Sequence, residues 1–502
     1  MKHYKNTTYL NTVFTFFIFL FSLGLFAQNC DCTLSQVQNN TVTPCNITIG
    51  NVVTVNSVSS LQNAINEANT SGGNMTILIA DGTYQVASTS WYPYITASNV
   101  VFRSLSGNRD QVIIRGGGML DVAPNTEDGF NIAGNNVTIA DLTIRDVGNH
   151  GIQVSGHNLY VHNVRIQNTY QQMLKGATSA ASINSAIIQC SLFEYTDGIG
   201  PNYYIGGLDI HKGQNWIVRE NVFKNIISPS GSVAEHAIHF WNNSANNVVE
   251  RNQIINCDRG IGFGLGDSPN TGGVIRNNMV YNAGIGQFND VGIGLESSPG
   301  TKVYNNTIHI EYQNAIEYRF AATNGVNIIN NLTNRTIRAR DGGEATLVTN
   351  ITNAQDIWFV NPSTGDLHLA FTVPSVVDQA TDLSSEVPDD IDQTSRPING
   401  AYDIGADELT ATGVTASFNY TRIKLFPNPT HGTFTIHIED ESQKSNSGTI
   451  EIINVLGEKL FEDSIILNNL SNEINIVPGI TGIHFVKIQV GDKVYFEKIL
   501  FQ

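Results

Sequence analysis

Four of the chain's 12 histidines, His150, His211, His236 and His239, lie in one central stretch with Lys175, Asp209, Trp241 and Arg259. Imidazole is the side chain whose ordinary pKa falls near neutrality, so it can take up or release a proton at working pH. An ammonium or guanidinium beside it can cancel the charge of a carboxylate. Glu296, Glu317 and Arg319 continue the pattern further along. The combination suits removal of a weakly acidic C–H next to a carboxylate, whose charge a cation must first neutralise. Lys175, His211 and His239 are the expected catalytic groups. Lys175, its pKa lowered by nearby positive charge, or a neutral imidazole would be the base, and a second imidazole the acid. Arg259 and His236 are expected on the carboxylate, with His150, Asp209, Trp241, Glu296 and Arg319 as further binding residues. Hydrolysis by paired carboxylates is the competing chemistry, and Asp209, Glu296 and Glu317 could supply it.

This chemistry needs residues distant in sequence to share one surface. Segments of one register recur: Gly151-Ile152-Gln153-Val154-Ser155, Gln172-Met173-Leu174-Lys175, Gly207-Leu208-Asp209-Ile210-His211, Ala237-Ile238-His239-Phe240-Trp241, Gly260-Ile261-Gly262-Phe263-Gly264, Gly292-Ile293-Gly294-Leu295-Glu296 and Ala315-Ile316-Glu317-Tyr318-Arg319. Alternation with period 2 sends Ile152/Val154, Leu208/Ile210, Ile238/Phe240, Ile261/Phe263, Ile293/Leu295 and Ile316/Tyr318 inward and the polar set outward. A second series, Asp141, Asn163, Cys190, Asn221, Asn252, Asn277, Asn305 and Asn330, recurs at steps of 22 to 31 residues. One such step is the length of one coil of a parallel β-solenoid. An inward Asn at the same corner of every coil would bond to its neighbours and to the bending backbone. Cys190 would fill the same slot. The expected fold is all-β, a right-handed parallel β-helix, with the hand set by the crossover rule. Strands about 4.8 Å apart would gather the outward residues into one cationic patch. Gly262, Gly264 and Gly294 would leave room beside it for a polymer chain.

The remaining sequence agrees. The chain has 502 residues with Lys+Arg 27 against Asp+Glu 44, a net charge of −17, and only 14% charged residues. Acidity without basic runs argues against nucleic acid, and 41% hydrophobic residues argue against disorder. Residues 1–27 combine Lys2, His3 and Lys5 with a short apolar run and Ala27, the pattern of a secretory signal. No later segment could span a membrane. Of five cysteines, Cys30 or Cys32 with Cys45 could close an N-terminal loop, whereas Cys190 and Cys257 are expected in the core or the ladder. No CxxC or HxxxH accompanies them, so no metal site is expected, and no DxDxDG loop is present. The expected divisions are 28–54 (cysteine segment), 55–372 (solenoid), 373–422 (closing segment and linker) and 423–502. The last of these alternates hydrophobic strands with Pro/Asn/Gly turns, hence a small β-sandwich.

Two resemblances add to this reading. Lys424-Leu425-Phe426-Pro427-Asn428-Pro429-Thr430-His431-Gly432, Asn454-Val455-Leu456-Gly457-Glu458-Lys459-Leu460 and the closing Lys498-Ile499-Leu500-Phe501-Gln502 resemble the C-terminal sorting domain of type IX secretion in Bacteroidetes. That implies passage across the outer membrane and release or surface attachment. From about Val55 to Leu369, with Ser59-Ser60-Leu61-Gln62-Asn63-Ala64-Ile65-Asn66 as a cap helix and Ala401-Tyr402-Asp403-Ile404-Gly405-Ala406-Asp407-Glu408 as a closing segment, the chain resembles secreted β-helix proteins that include pectate, alginate and chondroitin lyases. With the cationic patch, this implies a lyase acting on a uronic-acid polysaccharide by β-elimination. Glycoside hydrolysis, uronate C5-epimerisation and non-catalytic glycan binding are the rivals. The expected partners are an acidic polysaccharide and the type IX machinery, with a monomeric mature chain. The sequence assigns no cofactor, although Asp209, Glu296 or loop carboxylates could hold Ca²⁺.

Overall fold

The computed structural model describes residues 30–86, 91–120, 127–177, 179–398, 400–409, 423–438, 447–454, 459–466, 471–476, 481–490 and 493–502. The expected signal at 1–27 lies outside them. Among the described residues no helix is long and apolar enough to cross a membrane. The chain divides into two compact units, one through residue 369 with 374–408, the other comprising 370–373 and 409–502.

The first unit is a parallel β-solenoid. Three long parallel sheets of 12, 10 and 10 strands run its length, joined by a four-stranded sheet. The expected alternation holds on the face that carries the candidate residues. Ile152, Leu174, Leu208, Ile238, Ile261, Ile293 and Ile316 stack in register from coil to coil. All of them are buried, as are Ile210, Phe240, Phe263, Leu295 and Tyr318 in the second inward column. Each such side chain removed from water contributes about 1.5–3 kcal/mol, so the hydrophobic column sets the register and thereby the spacing of the outward residues. The open end is covered by helix Val58–Ser71, started by a capping box between Ser57 and Ser60 and ended by Gly72 at φ 87°. Its buried residues, Leu61, Ala64, Ile65 and Ala68, follow the helical repeat.

The asparagine column is shifted from the expected one. The inward ladder consists of Asn221, Asn252, Asn278, Asn306, Asn331 and Asn350. From Asn252 onward, each side-chain oxygen accepts from the amide nitrogen of the preceding Asn at 2.9 to 3.0 Å. It also accepts the backbone N–H of that residue, while the ladder amides donate to carbonyls such as Val218 O at 2.8 Å. Asp141, Asn163, Cys190, Asn277, Asn305 and Asn330 occupy the preceding position, at φ between 50° and 60°. Asn and Asp tolerate that left-handed conformation best among non-glycine residues. Adjacent positions thus favour Asn for different reasons, and at Asn277-Asn278, Asn305-Asn306 and Asn330-Asn331 the expected series took the first of the pair. Several of these turn residues carry the closing segment: Asn277 donates to Asp389 O at 2.8 Å, Asn305 to Asp403 O at 3.1 Å and Asn330 to Thr381 O at 2.8 Å.

Cys190 is likewise not a ladder filler. It sits at a left-handed turn and is bonded to Cys32, with Cα atoms 6.0 Å apart, while Cys30 pairs with Cys45 at 5.5 Å. The Cys32–Cys190 bond ties the N-terminal segment to the solenoid and Cys30–Cys45 closes a loop within that segment, where Cys30, Cys45 and Ile47 pack with Val101 and Tyr160. Cys257 is free and buried.

The second unit contains two antiparallel sheets. Ile423–Phe426, Thr433–Ile438 and Ser471–Asn475 form one, and Ser447–Asn454, Lys459–Ile466, Gly482–Val490 and Lys493–Phe501 form the other. Phe434, Ile436, Ile450, Ile452, Val486, Ile488, Ile499 and Phe501 make their common core.

Candidate active site on the solenoid face

Stacked strands place Gln153, Lys175, Asp209, His239, Gly262, Gly294 and Glu317 in one outward column. His211 and Trp241 are in register in the next. The first cluster is built around Asp209. Its Oδ2 accepts from Lys175 Nζ, and its Oδ1 accepts from Trp241 Nε1 at 2.6 Å. Lys175 Nζ also lies 3.2 Å from His211 Nε2. An ammonium can only donate, so His211 meets it with the Nε2 lone pair; the ring proton then belongs on Nδ1, which lies 3.1 Å from the Asn242 amide nitrogen and finds an acceptor there only when that amide is turned to present its oxygen. Burial depresses the His211 pKa, with Asp209 opposing the shift and Lys175 reinforcing it. His211 is therefore neutral at pH 7 and can accept a proton.

His239 belongs to the same cluster but not to its surface. Its ring is fully covered, stacked on Trp241 with centroids 5.6 Å apart and packed on His236 at 4.5 Å. Its Nδ1 faces Glu235 Oε2 at 3.2 Å and Asp209 Oδ1 at 3.9 Å, and its Nε2 meets Gly264 O at 3.1 Å. Burial works against the charged ring, but the carboxylates of Glu235 and Asp209 override it and raise its pKa. Burial likewise works against ionised Glu235, yet contact with His236 and His239 holds its carboxyl well below the usual range. His236 is pushed down to about 4 by burial and by the neighbouring His239.

His236 connects this cluster to a small pocket that it lines with Arg259, Gly294, Glu296, Glu317 and Arg319. Gly262 is essential to that arrangement, because a Cβ there would lie 2.7 Å from the His236 ring. His150 stands apart: it is buried, bonded through Nδ1 to Gln172 O at 3.1 Å, and driven down to about 4 by burial.

The patch is less cationic than the sequence implies. Lys175 is matched by Asp209, Arg259 by Asp290 at 2.7 Å, and Arg319 by Glu296 at 3.0 Å and Asp341 at 2.8 Å. Glu317 is held by Arg340 at 2.8 Å. The nearest charge to Lys175 is thus the Asp209 carboxylate rather than the positive charge expected beside it. Asp290 and Asp341 come from segments outside the recurring strand pattern, so period-2 reading passed over them. Glu235 was passed over for the same reason, although it directly precedes His236. The carboxylates named for Ca²⁺ are also engaged: Asp209 through Lys175 and Trp241, Glu296 through Gly266 N at 2.7 Å and Arg319.

With this geometry in place, comparison with known proteins adds two findings. Residues 424–502 match the family described as the secretion system C-terminal sorting domain. The C-terminal unit is a sorting domain. It directs the chain to type IX secretion, so the protein is secreted or held at the cell surface. No curated protein matches the chain in sequence. Among solved structures, the chain is similar to the pectate lyase Pel9A at 15% identity and a TM-score of 0.50, covering 73% of this chain and 98% of that one. An alginate lyase from Paenibacillus sp. str. FPU-7 aligns at 16% identity and 0.41, over 59% and 97% of the two chains. PfbA, a surface adhesin of Streptococcus pneumoniae, aligns at 12% and 0.30, over 62% and 90%. The likeness to Pel9A establishes the parallel β-helix of the first unit.

Proposed function

We propose that this protein is a secreted polysaccharide lyase that cleaves a uronic-acid-containing polymer by β-elimination. The observation that carries the reading is the contact of a neutral imidazole, His211, with the Lys175 ammonium on the outer face of an exported solenoid. The neighbouring pocket, with Arg259 and Arg319 on its wall, offers a uronate carboxylate a place to bind. That a solenoid of similar fold is a pectate lyase supports the reading.

In the reaction, His211 Nε2 takes the proton alpha to the uronate carboxylate. The C–H electron pair becomes the new C4–C5 double bond, and the C4–O bond breaks with its electrons remaining on the glycosidic oxygen. Lys175, ion-paired with Asp209, supplies a proton to that oxygen. A positioned acid or base of this kind contributes about 10²–10⁴-fold each. Arg259 commits Nε to Asp290, leaving its terminal nitrogens as the proposed partners of the substrate carboxylate. His239, having no exposed atom, serves as a positioning residue behind Asp209 and Trp241 rather than as the acid. Incubation with alginate, ulvan, pectate and glycosaminoglycans, followed by ultraviolet absorbance of the unsaturated uronate, tests the reading. New reducing ends without that absorbance identify a hydrolase. Retention on a polymer with no change in it identifies a binding protein, and altered uronate stereochemistry without cleavage identifies an epimerase.

A further inference from the structure

Behind the proton-handling pair, three ligand-type atoms converge. Glu235 Oε2, His236 Nδ1 and His239 Nδ1 all lie within 4.8 Å of one another. Glu235 Oε2 is 3.2 Å from His239 Nδ1 and 3.9 Å from His236 Nδ1. None of the three is aligned with a hydrogen-bond partner, although all are shielded from solvent. The two rings are more than nine-tenths covered, with side-chain exposures of 8% for His236 and 0% for His239. Buried polar atoms that lack an aligned partner are costly, and three whose nearest polar neighbours are one another converge here on one point.

We propose that Glu235, His236 and His239 form a binding site for a divalent transition-metal ion of the zinc class. Two imidazoles and a carboxylate make a nitrogen-rich donor set, which suits Zn²⁺ and disfavours Ca²⁺ or Mg²⁺. Bonds of about 2.0–2.1 Å to a tetrahedral ion put neighbouring ligand atoms about 3.3 Å apart, and the observed 3.2 and 3.9 Å lie close to that value. The outer contacts are also suitable. A proton on His239 Nε2, donated to Gly264 O, leaves the Nδ1 lone pair for the ion. Gly262 supplies the space in which the His236 ring stands. The absence of HxxxH had argued against a metal, but His236-Ala237-Ile238-His239 enters a strand rather than a helix, and its ligands meet through the loop that delivers Glu235. The site is independent of the lyase reading, because metal content is measured without substrate.

The test uses the secreted chain stripped with EDTA, equilibrated with ZnCl₂, desalted and analysed for metal by mass spectrometry. Thermal unfolding is followed in parallel. One equivalent of zinc per chain and a raised Tm are expected. Glu235→Gln and His236→Gln should each weaken zinc about tenfold or more, with the apo Tm close to that of the parent. Glu235 is the more exposed of the ligands, so its variant serves if His236→Gln fails to fold. His368→Asn, in the separate His368, Asp392 and Asp407 group, should leave the zinc content unchanged. No zinc above the buffer control, uptake unaffected in the folded variants, or uptake lost only with His368→Asn would overturn the proposal.

Discussion

Lys175 Nζ lies 3.2 Å from His211 Nε2 although 36 residues separate them. The contact follows from strand stacking: Lys175 is in register with Asp209, and His211 is the next outward residue on the Asp209 strand. The imidazole can act as a base only while its Nε2 lone pair is free of a proton. Because burial holds its pKa below the ordinary 6.5, the proton-accepting form dominates at neutral pH. On the proposed lyase activity, kcat/KM should therefore be flat near pH 7 and fall as pH drops through that lowered value. His211→Gln should reduce kcat about 10²-fold or more and abolish this acid limb, with an unchanged far-ultraviolet dichroism spectrum. Full activity in the variant removes His211 from the mechanism.

The Lys175–Asp209 pair makes a second, separable prediction. Both side chains are nearly covered, 11% and 4% exposed, so removing one strands the other. Lys175→Met should lower stability by about 3 kcal/mol and eliminate activity. Adding Asp209→Asn to it removes the orphaned charge while keeping an oxygen for the Trp241 N–H. The double variant should regain most of the lost Tm and none of the activity. Recovery of both would make the lysine structural only.

The solenoid was legible in the sequence because hydrophobic periodicity acts through the strongest force available. A one-residue slip would turn Ile210, Phe240 and Phe263 to solvent, so the pattern left no ambiguity in which residues of these strands face the core. The site was legible only in part. Lys175, Asp209, His211 and Trp241 were found because they sit on the recurring strand. Glu235, Asp290 and Asp341 lie in loops, and nothing in a period of 2 reports which loop carboxylate folds back onto a cation. Exposure was also misjudged at His239, which alternates outward correctly but is covered by the rings of Trp241 and His236. The Cys32–Cys190 bond, spanning 158 residues, was beyond reach because cysteine pairing does not follow from local spacing.

The ladder predicts a position-specific loss of stability. Asn278 accepts from Asn252 N at 3.0 Å and from its amide nitrogen at 3.0 Å, and donates to Val249 O at 2.9 Å and Arg276 O at 3.0 Å. Asn278→Ala leaves these buried groups unpaired and should cost about 2–4 kcal/mol. The neighbouring Asn277 donates to the closing segment at Asp389 O, so Asn277→Ala breaks a contact nearer the surface and should cost less. Urea unfolding of the two variants compares them directly. Equal losses would mean that the turn column, not the inward one, holds the coils.

Asp141 predicts a gain. It occupies a left-handed turn at φ 57° and is fully buried. Oδ1 accepts from Asn163 at 2.8 Å, but Oδ2 has no partner. Burial raises its pKa from 3.8 to about 7, with the Asn163 hydrogen bond and then Arg103 and Arg109 opposing the shift. An acid with a raised folded-state pKa binds more protons folded than unfolded across that window. Its burden on stability is therefore absent below pH 4, grows as pH rises toward 7, and stays constant above. Asp141→Asn keeps the acceptor, suits the left-handed turn, and cannot ionise. At pH 8 it should raise stability by up to about 4 kcal/mol, the equivalent of a three-unit shift at ~1.36 kcal/mol per unit. Below pH 4 the gain should vanish. Differential scanning calorimetry at the two pH values separates this from a generic packing effect, for which the increase in Tm would be the same at both.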